Sequence, residues 1–324
     1  MFKTNYKRNS LTRQAIRRLF KNKIGLICLS IIICFYLAGS LASWITPYDY
    51  NEQNIEIKNT EGKMRGCIAC NPPSLKHPFG TDRLGRDVLT RIIFGLRTTV
   101  IITIASIVTG GLILGITFGL ISGYFGGKID TLIMRIGELF LAFPGLFLVL
   151  LIAATVRPRV TSWVRIFETN TGIEGIITLG IVDYLVVFGA MAAFSWVGMS
   201  RLVRGQVLQI KKSQFIEASI ASGASTFRIL FSHILPNILP ALFVVISMGM
   251  GSAVGTEIIL SWLGIGIQPP TPSIGVLIYE NGNLGVLRSN PHLILFPIGV
   301  VTILIFTFNL LGDALNDAFN PRIY

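Results

Sequence analysis

Long uncharged apolar stretches alternate along this chain with shorter polar and basic connectors. A bilayer core about 30 Å thick is crossed by about 20 apolar residues in a helix, and six stretches reach or approach that length. Residues 24–46 and 98–125 hold no acidic or basic side chain. Residues 139–156 are shorter and contain Pro144, which predicts a kinked span. Residues 176–200 carry a single acid, Asp183. Residues 234–256 are uncharged with Pro236 and Pro240 near their start, and residues 293–312 are uncharged around Pro297. The pattern predicts an all-α, polytopic membrane protein with about six transmembrane helices. It divides into a basic tail (1–23), a first anchor (24–46), a polar loop (47–97) and a core (98–324) of five spans that contains a long connector, 201–236.

Composition agrees with that division. Only 14% of residues are charged, against roughly 25% in soluble domains. So little charge cannot cover a water-facing surface, so much of the exterior is expected to face lipid. The net charge is +12. A basic balance can signal nucleic acid, but here the cations sit beside apolar runs. Lys3, Lys7, Arg8, Arg13, Arg17, Arg18, Lys21 and Lys23 precede the first span with no acid among them. The positive-inside rule then puts both termini in the cytoplasm and residues 47–97, 157–174 and 263–292 outside. Arg201, Arg204, Lys211, Lys212 and Arg228 support the same orientation by making 201–233 an inner connector. A cleaved signal peptide is disfavoured, because its apolar region is usually about 7–15 residues and this one is longer.

The chain offers little catalytic chemistry. Its three histidines, His77, His233 and His292, are far apart in sequence. There is no H-E-x-x-H, no G-x-S-x-G and no Walker A loop, since Gly126-Gly127-Lys128 lacks that motif's spacing and its Ser or Thr. No enzyme activity, metal site or chain-bound cofactor is expected. Cys28 and Cys34 lie in an apolar run. Cys67 and Cys70 form a lone C-x-x-C with no second ligand pair, which leaves a disulfide and two free thiols both open.

Two features concern packing and partners. Gly111, Gly115, Gly119 and Gly123 recur every four residues, lining one helix face along which another helix, in this chain or a second one, can approach closely. The connector reads Glu217-Ala218-Ser219-Ile220-Ala221-Ser222-Gly223, then nine residues, then His233-Ile234-Leu235-Pro236. That order predicts a short helix, a turn at Gly223, a second short helix and a stop at Pro236. Such an elbow at the membrane surface suits a soluble partner, and its small residues permit close contact with a groove.

The elbow resembles the EAA loop of ABC importer permeases, E-A-A-x3-G-x9 with a hydrophobic-x-Leu-Pro ending, with Ser219 in place of the second Ala. Three further blocks resemble the C-type permease of oligopeptide and dipeptide importers: Gly80-Thr81-Asp82-Arg83-Leu84-Gly85-Arg86-Asp87 with Gly95-Leu96-Arg97; Glu257 to Gly264 with Gly266, Pro269-Pro270, Pro272 and Ser273; and Asn309 to Asp313 with Asp317 and Asn320-Pro321-Arg322. The family usually has Trp at Ile274, Arg at Asn316 and Asp at Asn320. The resemblance implies a type I ABC importer permease fold and a homologous second permease. It also implies two cytoplasmic ATPase subunits that bind ATP and Mg, and an extracytoplasmic peptide-binding protein. It implies that Glu217, Ala218, Ser219 and Gly223 shape the ATPase contact, that Arg228 pairs with an acid there, and that His233 and Pro236 close the motif. The substrate would be a short peptide moved across the inner membrane. Nickel or another small solute is the alternative within the family, and an ATP-independent secondary transporter the alternative outside it.

In the outer block, Asp82, Arg86 and Asp87 suit either a partner contact or a locally paired turn bent at Gly80 and Gly85, and the paired turn is favoured. Glu138, Asp183, Glu257 and Asp313 are expected near the membrane interfaces, where solvation is cheap. No substrate-binding residue can be named from the sequence.

Overall fold

The structure, a computed structural model, describes residues 18–53, 69–173 and 175–319. The basic tail up to residue 17, Cys67 and the terminal Asn320-Pro321-Arg322 lie outside the described residues. Among the described residues, six helical runs are long and apolar enough to cross a membrane. The first is α1 (Lys23–Ser40), begun by Asn22, whose side chain accepts from the amides of Ile24 and Gly25 at 3.0 and 3.2 Å. The second starts as α2 (Val88–Ser106), widens into a π-helical stretch (Ile107–Gly115) and ends as α3 (Ile116–Phe125). It is capped by Asp87, whose carboxylate accepts from the Thr90 amide at 2.7 Å. Among the described residues there is no strand, only one isolated bridge between Thr81 and Asp87.

The third span differs from the expected kinked helix. It is two helices, α4 (Gly127–Leu141) and α5 (Gly145–Thr171), separated by residues 142–144. Pro144 does not kink a helix; it caps a new one. Proline biases the residue before it towards extended backbone and cannot donate, so a helix end is the cheaper solution. Both pieces run antiparallel to α6 (Ile181–Ile210). Asp130 pairs with Arg204, Gly137 faces Val197, Phe140 meets Phe194, and Arg157 pairs with Asp183. The partners of Asp130 and Arg157 on α6, Arg204 and Asp183, are separated by about 31 Å of continuous helix, about the thickness of a bilayer core. Residues 127–135, between the second and third apolar stretches, are helix as the start of α4, and residues 157–171 continue α5 beyond Asp183 as helix.

The connector is also more helical than expected. Span four runs on through Arg201 and Arg204 to Ile210, and only 211–225 leave the long helices as α7 (Gln214–Ala221) and a turn. Thr226–Arg228, a π-helical stretch (Ile229–Ile234) and α8 (Leu235–Trp262) then form one unbroken run. The expected stop at Pro236 is absent. Pro236 lies in the first turn of α8, where its missing N–H is tolerated, and the wide π turn precedes it. Short helices α9 (Ile274–Asn281) and α10 (Leu284–Ser289) precede the last span, α11 (His292–Phe319).

The glycine face has its partner within this chain. A Cβ added at Gly115, Gly119 or Gly123 would stand 2.6, 2.5 and 2.7 Å from the Cβ atoms of Met199, Val203 and Val207 on α6. Both helices thus step by four, and each glycine seats one α6 side chain. Gly111 departs from the expected register, with its nearest neighbours 3.9 Å away, and Gly110 takes the seat against Ser195 and Ala192. The cause is the π turn, which holds one more residue than an α turn. Gly119→Val is expected to destabilise the protein by about 1–3 kcal/mol through overpacking. Gly205→Ala, where nothing lies within 4 Å, is expected to be neutral or better. Thermal unfolding of the two purified variants in detergent checks this.

Candidate functional site

Two places bring the singled-out residues together, the elbow and the Gly80–Asp87 block, and a cavity lies between them. The elbow begins where α6 ends. The Lys211 ammonium donates to the Tyr124 carbonyl and lies 5.1 Å from that residue's ring centroid, pinning the exit of α6 to the end of α3. Ser213 precedes α7, and Glu217 sits in its first turn, where a negative charge complements the helix dipole. At the far end of α7 the Gly223 amide donates to the Ile220 carbonyl at 2.9 Å, and the Ala224 amide to the Ser219 carbonyl at 3.1 Å. This pair is a Schellman motif, which needs a left-handed residue, and Gly223 supplies it at φ +76°.

Three isoleucines root the elbow in the bundle. Ile216, Ile229 and Ile234, at most 2% exposed, pack with Leu120, Val203, Val207 and Ile238. What remains outside is mixed in character. Phe215, Ile220 and Phe227 are exposed apolar side chains, with the Phe227 ring tilted against that of Phe231 at 4.4 Å between centroids. Glu217, Ala218, Gly223 and Arg228 are exposed beside them, and Ser219 is half-buried. The face therefore combines apolar anchors, one acid, one base and small residues. His233 is half-buried, and its carbonyl accepts from the Asn237 side chain at 2.6 Å. Pro236 is exposed.

The Gly80–Asp87 block is a buried, internally paired structure. Asp82 accepts from the amides of Leu84 and Arg86 at 2.9 and 3.0 Å, and pairs with Arg86 at 2.8 Å and Arg91 at 2.5 Å. Both arginines also reach Glu280 on α9, at 3.0 and 2.7 Å. Thr81 donates to the Ala69 carbonyl at 2.7 Å and accepts from the Asn71 amide at 2.8 Å. Asp87 pairs with His77 at 2.9 Å in addition to capping α2. Gly80 and Gly85 make the bends at φ +79° and +75°. Asp82, Arg86, Asp87 and Arg91 are all buried, so the block holds segment 69–87 onto α2 and α9 and offers little to a partner. Nearby, Cys70 is in a disulfide.

The membrane acids divide. Asp183 pairs with Arg157 and accepts from the Gln268 amide at 3.0 Å. Glu138 and Asp313 are exposed. Contrary to expectation, Glu257 is not solvated. It is fully buried, and its carboxyl accepts from the hydroxyls of Thr99 and Ser261, each at 3.0 Å.

A cavity of ≈ 400 Å³ lies at mid-depth, where the π turn of the second span, the start of α5, and the middles of α6 and α8 converge. Leu146, Met191, Phe194 and Met199 give it apolar walls, Gly111, Gly198 and Gly249 leave space, and Ser106, Ser195, Ser252 and Thr256 bring hydroxyls. No charged residue lines it. Its size falls within the ordinary range for small-ligand sites, about 300–1,000 Å³. Among the described residues, no cluster of three or more His, Cys, Asp or Glu could hold a metal.

Sequence reasoning missed Ile216, Ile229 and Ile234 as roots of the elbow, Arg91 and Glu280 as partners of Asp82, and the cavity. Arg91, a lone cation ahead of Ile92-Ile93-Phe94, was the one available signal. The cavity left none, because its lining is spread over four segments and consists of residue types common in any membrane helix.

Comparison with known proteins follows the same division. Residues 115–324 match the family model described as binding-protein-dependent transport system inner membrane component. Residues 10–62 match the N-terminal TM domain of oligopeptide transport permease C. The chain is 35% identical over 321 residues to an oligopeptide transport system permease protein OppC of Bacillus subtilis (strain 168), covering 99% of this chain and 93% of the relative. It is 34% identical to a dipeptide transport system permease protein DppC of the same organism, over 97% and 87% of the two chains. A glutathione transport system permease protein GsiD of Pectobacterium atrosepticum is 32% identical over 96% and 91%.

Proposed function

Because this chain belongs to the binding-protein-dependent transport system inner membrane components, the membrane-spanning permeases of ABC importers, we propose that it passes short peptides inward through a pathway shared with a homologous second permease. Oligopeptides, dipeptides and glutathione, the solutes in the relatives' names, are all short chains of amide-linked residues. In this reading the protein is a multi-pass inner-membrane subunit with both termini in the cytoplasm. It binds no cofactor. Two cytoplasmic ATPase subunits bind ATP and Mg, and an extracytoplasmic binding protein delivers the peptide.

The observation that carries the reading is the unbroken helical run from Thr226 to Trp262. It starts at the exposed elbow and reaches the cavity wall at Gly249 and Ser252, a rise of about 35 Å. The three buried isoleucines at its foot prevent the elbow from moving alone. A displacement imposed on Phe215, Ile220 and Phe227 by an ATPase dimer closing on nucleotide is therefore delivered to the cavity, biasing a two-state equilibrium between openings to either side. The chain supplies the walls and the lever, and the energy comes from its partners.

Two measurements test this. Mild detergent extraction of the tagged protein should recover ATPase subunits and a second permease, and a preparation consistently free of any ATPase would overturn the reading. Single cysteines at Ser222 and Ser225 should react with a membrane-impermeant thiol reagent only from the cytoplasmic side. Reaction only from outside would leave the lever nothing to engage.

A further inference from the structure

We propose that the mid-depth cavity is this chain's share of a holding site that grips the amide groups of a peptide and is indifferent to the charge of its side chains; the proposal rests on the peptide-import reading above. The chemistry of the lining supports it. The Ser195 hydroxyl is 3.4 Å from the Ala192 carbonyl, that of Ser252 is 3.2 Å from the Gly249 carbonyl, and that of Thr256 is 2.9 Å from the Ser252 carbonyl. The Ser195 hydroxyl is also 3.5 Å from the Ser106 carbonyl on the second span, so each of the three hydroxyls has a backbone carbonyl to take its single proton and keeps oxygen lone pairs for another donor. With these three acceptors in its wall, the cavity suits a ligand rich in N–H groups, which a peptide backbone and its terminal ammonium are.

No carboxylate, ammonium or guanidinium lines the space. Glu257 follows Thr256 in the chain, but it is fully buried and held by Thr99 and Ser261. In a pathway of low dielectric, one fixed charge would select strongly against like-charged cargo. A neutral wall of hydroxyls avoids that selection, so choice among peptide side chains must be made before the substrate reaches this depth.

The glycines make the site testable without disturbing the fold. A Cβ at Gly198 or Gly249 meets nothing within 4 Å, although both residues line the cavity. Larger side chains there would project into the space and not into a neighbouring helix. Gly299 is equally open but does not line it, and serves as the comparison.

The experiment uses the whole complex in proteoliposomes, with ATP on the ATPase side and binding protein saturated in turn with Ala-Ala-Ala, Ala-Lys-Ala or Ala-Glu-Ala. Maximal uptake of the three peptides by the unsubstituted complex should agree within about threefold. Gly198→Trp and Gly249→Trp should lower uptake of all three by about tenfold or more with ATPase subunits still bound, and Gly299→Trp should change it by less than about twofold. Ser252→Asp should separate the charged peptides, favouring Ala-Lys-Ala over Ala-Glu-Ala by about tenfold. Normal uptake by both tryptophan variants, equal loss in Gly299→Trp, or no separation in Ser252→Asp would overturn the cavity assignment while leaving the import reading standing. Unequal uptake of the charged peptides by the unsubstituted complex would overturn the indifference. An unsubstituted complex that hydrolyses ATP and takes up none of the three would overturn the peptide reading, and the holding site with it.

Discussion

Replacing Gly223 with proline is expected to lower ATP-driven uptake by about 100-fold while leaving the membrane bundle folded. Gly223 sits at φ +76°, and proline is held near −65°, so the Schellman turn cannot form. The substitution also removes the 2.9 Å hydrogen bond from this amide to the Ile220 carbonyl. Forcing a left-handed turn elsewhere costs about 1–2 kcal/mol, and the lost bond about 1 more. Together these approach the roughly 2.7 kcal/mol that a 100-fold change represents. The damage stays local because nothing lies within 4 Å of a Cβ at this position, and the roots of the elbow, Ile216, Ile229 and Ile234, are untouched. Gly223→Ala keeps the amide and suffers only the backbone penalty, so about a tenfold loss is expected. Uptake and ATPase activity should be measured together, with thermal unfolding as the check on folding. Full uptake by Gly223→Pro would show that the turn plays no part in coupling.

The second large effect is on stability. Asp82→Ala leaves the buried guanidiniums of Arg86 and Arg91 with a shared Glu280 as their remaining carboxylate, and deprives the amides of Leu84 and Arg86 of their acceptor. Removing one partner from a buried ionic network costs about 3–5 kcal/mol. For a protein of this size that corresponds to a fall in melting temperature of about 10 °C. Asp82→Asn retains an oxygen for the two amides and should fall between. Thermal unfolding of the purified protein reads the effect. An unchanged melting temperature with weakened binding-protein docking would instead make the block a partner surface.

What the sequence made legible follows from the range of the forces involved. Apolar length is a local property, so the number of spans and five of their positions could be read directly. The elbow was legible because Gly223 ends α7 through contacts within six residues. The third span misled because Pro144 has two outcomes, a kink or a new helix, and the choice depends on packing against α6. Pro236 misled for the same reason, since a π turn from Ile229 to Ile234 accommodates what an α turn would not. The glycine register slipped by one at its first position because periodicity counts residues and a wide turn adds one. Arg91 and Glu280 are 189 residues apart, and no local pattern announces their contact.

The glycine face also decides what kind of motion this bundle allows. Sliding α3 along α6 by one residue would lift Met199, Val203 and Val207 out of their seats and drive them against bulkier neighbours. Only a jump of a whole four-residue step would restore the fit. Shear is thereby excluded as a continuous movement, and the two helices must travel as a single plate.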